Sequence, residues 1–217
     1  MNRRLVLALL RAAFAALAIY AMAFQAKLAA DAGALVPLNF LSYFTIQSNA
    51  IAAVVFLIGA ARFRQPATPG WDLVRGAAAL NMTVTYVVFA LLLADTDVDV
   101  TNAWVNTVVH VLFPLVVMAD WVVDPPAHEV TARGSLTWLA YPLLWLAYTM
   151  VRGPIAGWYP YPFLEPANGG YGTVALYVLG IFVFGVVVAT ILRLVGNALR
   201  ARRVVPAAAA ATGTPAG

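Results

Sequence analysis

Six apolar stretches, each close to the length of a bilayer crossing, occupy most of the chain, and the charges fall almost entirely between them. About 20 predominantly apolar residues span the hydrocarbon core as a helix. The pattern predicts helices over residues 5–26, 38–61, 73–94, 102–122, 135–152 and 170–196. Inside lipid every backbone amide must find its partner within the protein, which confines such segments to helices or a closed barrel. Stretches of this length favour the first, and the expected fold is an all-α, polytopic membrane protein with six transmembrane helices.

Hydrophobic residues make up 63% of the chain and charged residues 10%, against about 25% charged in an ordinary soluble domain. One membrane domain over 1–203 is expected. Residues 204–217, rich in Ala, Pro, Gly and Thr, read as a disordered tail. The connecting segments are short and leave no room for a soluble catalytic domain. Residues 61–72 form a basic loop, 95–101 a small acidic turn and 123–134 a second loop with Pro125 and Pro126.

The formal charge of +4 does not indicate nucleic acid, because the basic residues act as topology signals. Sorted along six alternating helices, eleven arginines (Arg3, Arg4, Arg11, Arg62, Arg64, Arg75, Arg133, Arg193, Arg200, Arg202 and Arg203) fall on one side. Only Lys27 and Arg152 fall on the other. By the positive-inside rule both termini are cytoplasmic. The Ala- and Arg-rich composition suggests a bacterial inner membrane. Arg3, Arg4 and the Ala21-Met22-Ala23 run imitate a secretory signal, but Arg11 interrupts the apolar run and apolar character continues past Ala23. An uncleaved first helix is therefore expected.

Function must reside in polar groups within the helices, where polarity is expensive. The chain has no cysteine, which excludes disulfides, thiolate metal sites and cysteine nucleophiles. His110 is the one histidine within a predicted helix, about 12 Å below its outer end. Asn102 and Asn106 precede it on the same face, and Pro114 follows one turn later and leaves a carbonyl open to a polar partner. A single buried histidine does not make a metal site, so neither metal nor organic cofactor is expected.

The second predicted helix carries Ser42, Thr45 and Asn49 on one face, and residues 39–49 read as continuous helix. Thr45 lies about 10 Å and Ser42 about 6 Å below the outer end. Either hydroxyl could pair with His110 as nucleophile and base. The same side chains are equally suited to hydrogen bonding between helices, each bond worth about 0.6–2 kcal/mol. Asn81 and Thr85 on the third helix read as packing contacts with a minor role as oxyanion donors, and Asp120 as a solvated boundary charge. Arg152 stands at the outer interface, placed either to reach lipid headgroups or to hold a substrate carboxylate. The segment 153–169, with Trp158, Tyr159, Tyr161 and Phe163, is either an interfacial anchor or a partly inserted cap over a cavity.

The block Trp158-Tyr159-Pro160-Tyr161-Pro162-Phe163-Leu164-Glu165 resembles the Trp-x-Tyr-Pro-Phe-Leu-Glu signature of the androgen-induced and androgen-dependent TFPI-regulating membrane proteins. His110-Val111-Leu112-Phe113-Pro114 resembles their His-x-x-x-Leu-Pro region, with one residue fewer between His and Pro. Phe40-Leu41-Ser42-Tyr43 resembles their Phe-Leu-Thr-Phe. That family comprises intramembrane threonine hydrolases that cleave fatty acid esters of hydroxy fatty acids with a Thr and a His. The resemblance implies His110 as the catalytic histidine. Ungapped matching puts Ser42 at the nucleophile position, whereas matched depth to His110 prefers Thr45; both remain candidates.

The expected function is hydrolysis of a lipid ester drawn from the membrane, with Asn49, Asn81, Thr85, Asn106, Arg152 and Tyr161 as substrate-binding residues. The alternative is a non-catalytic membrane protein that binds a lipid or a partner. An intramembrane protease is more remote, since the Gly-x-Ser-x nucleophile turn is absent. The expected partner is a membrane lipid, and nothing in the sequence selects an oligomeric state.

Overall fold

The computed structural model describes residues 2–93 and 102–212, with side chains through Arg203. The described residues are helical, with no strands. In chain order the elements are α1 (Arg3–Asp31), α2 (Pro37–Ser42), α3 (Phe44–Ala61), α4 (Pro69–Val88), α5 (Ala103–Thr107), α6 (Phe113–Val123), α7 (Ala132–Leu136), α8 (Ala140–Ala156) and α9 (Gly170–Thr212). Wide π-helical turns, Phe89–Leu93 and Val108–Leu112, extend α4 and join α5 to α6. Among the described residues five helices are long and apolar enough to cross a membrane: Arg3–Asp31, Phe44–Ala61, Pro69–Leu93, Ala103–Val123 and Gly170–Arg203. The protein is therefore a multi-pass integral membrane protein.

Helix α4 is the hub, packed against α3, α6 and α9. Its side chains from Ala78 to Thr85 are all buried, a run with no solvent face. Helix α1 packs chiefly against α3 and buries a stripe of small residues, Ala8, Ala15, Ala18 and Ala21, the last against Val105, Val108 and Val109. Small side chains let backbones approach closely where lipid supplies no hydrophobic drive between helices. The outward faces stay apolar, with Leu144, Val151, Ile155 and Leu176 largely exposed, as a lipid solvent permits.

At the arginine-rich end, polar clamps fix the connections. Asp72 accepts from the backbone N–H groups of Ala127 and His128 and pairs with the His128 ring at 2.9 Å. Asn197 on α9 exchanges two 2.9 Å hydrogen bonds with the backbone of Val130.

Three expectations are corrected. Residues 39–49 are not one helix: Tyr43 adopts φ −64° and ψ 130°, which ends α2 and starts α3 afresh. This backbone turns the Tyr43 ring onto Trp158 and Tyr161, at 5.4 and 5.7 Å between centroids. Asp120 is not a solvated boundary charge. It lies between Arg11 (2.7 Å) and Arg75 (2.9 Å), with its side chain only 11% exposed. The segment 135–152 is interrupted, since α7 passes through a 3-10 turn, Thr137–Leu139, before α8 begins. The backbone of α9 runs to Thr212. The acidic turn 95–101 and residues 213–217 of the expected tail lie outside the described residues.

Candidate active site

The break at Tyr43 places Thr45 in the first turn of α3, where backbone N–H groups have no intrahelical acceptor. The Thr45 N–H donates instead to the Tyr161 hydroxyl, at 3.2 Å. The Thr45 Oγ1 lies 3.2 Å from His110 Nε2 and 3.2 Å from the same Tyr161 oxygen. All three side chains are buried. With Nε2 accepting, the Thr45 hydroxyl donates to His110 and receives a hydrogen bond from Tyr161. Burial raises the Tyr161 phenol above its usual range, against the opposing effect of its hydrogen bonds to Thr45. Tyr161 therefore stays a donor.

His110 sits in the π-helical turn Val108–Leu112. Its ring stacks on Phe89, the first residue of the other π turn, at 4.1 Å and 16°. Such wide turns recur at functional sites because they re-aim a side chain without ending the helix. Pro114 explains the one at His110. The Phe113 N–H reaches back five residues to Val108 O, and in that register Pro114, lacking an N–H, leaves the Val109 carbonyl free. Asn49 Nδ2 donates to it at 2.9 Å and to Thr45 O at 2.8 Å. Asn49 thereby ties the helix bearing the hydroxyl to the helix bearing the imidazole. The one His–carboxylate pair among the described residues is His128–Asp72, so Thr45 and His110 form a dyad without an acidic third member.

A cavity of about 530 Å³ opens onto this pair. Gln25, Asn39, Tyr43 and Trp158 are among its walls, and Thr45, His110 and Tyr161 border it. On the other side of Thr45 and Tyr161 lies a narrow apolar cleft of about 90 Å³, reaching Val84, Leu146, Phe163 and Ile181. Thr45 thus borders both the large cavity and the apolar cleft.

The other expected site residues are placed as follows. Ser42 is buried but turns away: its hydroxyl donates to Leu38 O at 2.6 Å and pairs with Tyr148 at 2.8 Å, and it borders neither cavity. Thr85 lines the apolar cleft and bonds Ser48 at 2.9 Å. Asn81 and Asn106 border neither space. Arg152 lies behind the wall, donating to Asn39 at 2.6 Å and resting over the Trp158 ring at 5.5 Å. Sequence reasoning missed Phe89 and Gln25, since an isolated apolar or amide side chain in a span carries no signal of its own.

The segment 153–169 caps the site. Tyr161 and Leu164 are buried, and Tyr161 stacks on Phe163 at 5.4 Å. Gly157 ends α8 with φ 59°, a left-handed turn that favours glycine. Tyr159 lies flat on Gly153, so close that an added Cβ would sit 2.1 Å from its ring. Gly153→Ala is therefore expected to lift the cap, destabilising the protein by about 1–3 kcal/mol through overpacking. Chymotrypsin should then cut within 158–163 faster than in wild type. Unchanged cleavage would mean the cap does not depend on this contact.

Comparison with family models, curated proteins and solved structures finds no match to the chain.

Proposed function

We propose that the protein is an intramembrane hydrolase of lipid esters, with Thr45 as nucleophile and His110 as general base. The observation that carries this reading is the 3.2 Å contact between a buried hydroxyl and a buried imidazole at the wall of a large cavity. Satisfying polar groups between helices needs no such cavity.

In the proposed reaction an ester lies with its carbonyl at Thr45 and its hydrocarbon parts in the 530 Å³ cavity and the apolar cleft. His110 Nε2 takes the Thr45 proton as Oγ1 bonds to the carbonyl carbon. The oxyanion forms near the Thr45 N–H and the Tyr161 hydroxyl, which turn to it from the hydrogen bonds they make within the Thr45–Tyr161 pair. The first turn of α3 adds its positive dipole end. His110 then returns the proton to the departing alcohol. Water, deprotonated by His110, cleaves the acyl-threonine to a fatty acid and restores the hydroxyl. The resemblance to the androgen-induced family supports this chemistry and suggests fatty acid esters of hydroxy fatty acids as the substrate class.

The same reading takes α7 to α8 as a sixth span. Residues 132–156 in helical turns reach about 37 Å at 1.5 Å per residue. With the basic bias, six spans put both termini in the cytoplasm of a bacterial cell and the site toward the outer leaflet. Reporter fusions within 123–131 and within 157–169, on either side of α7 and α8, are expected to signal opposite sides. Same-side signals rule out the sixth span.

The deciding experiment is a fluorophosphonate probe on the full chain in nanodiscs, with the modified residue located by peptide mass spectrometry. Labelling is expected on Thr45. Label on Ser42 overturns the Thr45 assignment, and no label together with no hydrolysis of long-chain esters removes the catalytic reading and leaves a lipid-binding protein.

A further inference from the structure

The opposite end of the molecule holds a second polar cavity, of about 400 Å³, whose wall carries seven arginines and two aspartates. Two of the arginines are already matched. Arg11 binds Asp120 and Asp124, both at 2.7 Å, and Arg75 binds Asp120 at 2.9 Å and the Asp124 carbonyl at 2.6 Å. Asp72 is committed to the 127–128 backbone and the His128 ring. This neutral floor leaves Arg3, Arg4, Arg62, Arg200 and Arg203 around the opening.

Of these five, only Arg203 and Arg200 have a carboxylate partner, and each at long range. Arg3 from the start of α1 and Arg203 from the far part of α9 donate to one and the same oxygen, the Val123 carbonyl. Arg203 comes no nearer than 3.6 Å to Asp124, and Arg200 only 3.9 Å to Glu129. Among the described residues no carboxylate lies within 4 Å of Arg3, Arg4 or Arg62. The Nε–H of Arg200 is buried with no acceptor. Two guanidiniums drawn to one carbonyl and a buried donor left unpaired describe a cage short of an anion. Topology signalling alone requires arginines on one side of the membrane, and it does not require arginines from both ends of the chain to meet.

We infer that this cavity binds a phosphate group, either in the headgroup of an anionic lipid or as a soluble phosphate. The chemistry selects phosphate, since planar guanidinium forks match its oxygens. The arginines around the opening select against a cationic ligand, and Asp124 in the wall is already held by Arg11 and Arg75. Leu7, Phe63 and Trp71 in the wall offer an apolar flank of the kind a glycerol-linked chain would follow. The site lies at the opposite end from Thr45 and does not depend on the hydrolase reading.

The test uses the full chain in nanodiscs of equimolar phosphatidylcholine and phosphatidylglycerol, with retained lipid read by native mass spectrometry. Wild type is expected to keep one phosphatidylglycerol, and Arg3→Gln/Arg203→Gln to hold it about tenfold more weakly. The control Arg133→Gln/Arg202→Gln removes two exposed arginines outside the wall and should match wild type. A parallel arm measures unfolding temperature in non-ionic detergent with inorganic phosphate against chloride at equal ionic strength. Lipid retention without a phosphate shift assigns the site to a headgroup. A phosphate shift abolished by Arg3→Gln/Arg203→Gln assigns it to a soluble phosphate. Should that variant fail to elute as folded protein, Arg200→Gln serves in its place. Equal losses in variant and control, or neither retention nor shift, overturn the proposal.

Discussion

Thr45→Ala and His110→Ala are each expected to lower ester hydrolysis by about a thousandfold or more, while the protein remains inserted and folded. Nucleophile and base act as a unit, so the loss of either removes most of the rate, and the double variant should be little worse. Ser42→Ala should retain activity within a fewfold, because its hydroxyl serves Leu38 O and Tyr148 and not His110. Tyr161→Phe removes one of two oxyanion donors and should lower kcat by about 100-fold with KM little changed. Assays require long-chain esters in nanodiscs, since the cavity walls are largely apolar. A Thr45→Ala protein that turns over like wild type would falsify the nucleophile assignment, whatever His110→Ala does.

The second large effect concerns stability. Asp120→Asn is expected to destabilise the protein by about 3 kcal/mol, because it leaves the buried Arg11 and Arg75 to share the single carboxylate of Asp124. Asp124→Asn should have a smaller effect, since its side chain is 29% exposed against 11% for Asp120. Burial alone would raise the Asp124 carboxyl, but Arg75, Arg11 and Arg3 outweigh it and hold the group below its ordinary 3.8. Its stabilising contribution is thus present above that ordinary value and is lost as pH falls through the lower folded value. Urea or thermal unfolding in detergent, at neutral and acid pH, measures both effects. Equal stability of Asp120→Asn and wild type would mean that water reaches the two arginines.

The membrane character and the helical class were legible from apolar run length alone, because lipid admits few solutions for a backbone. The pairing of Thr45 with His110 was partly legible. Matched depth along two helices selected Thr45, whereas matching the Phe40–Tyr43 block selected Ser42. What brings Thr45 and not Ser42 beside His110 is the turn at Tyr43, which rotates Ser42 toward α8 and opens the first amides of α3 toward Tyr161. No hydropathy pattern reports such a turn, since its cause is an aromatic contact with a segment more than 100 residues away. Pro114 did announce a free carbonyl, and Asn49 was found on it.

Asp120 shows the opposite case. A lone acid near a helix end reads as solvated, and only the meeting of α1, α4 and α6 supplies the two arginines that pair with it. The sequence by itself determined how many polar groups lie at bilayer depth and on which helices, through the solvation demands of lipid. Tertiary structure alone decided which of them face one another, because that choice depends on helix rotation and on contacts between residues distant in the chain.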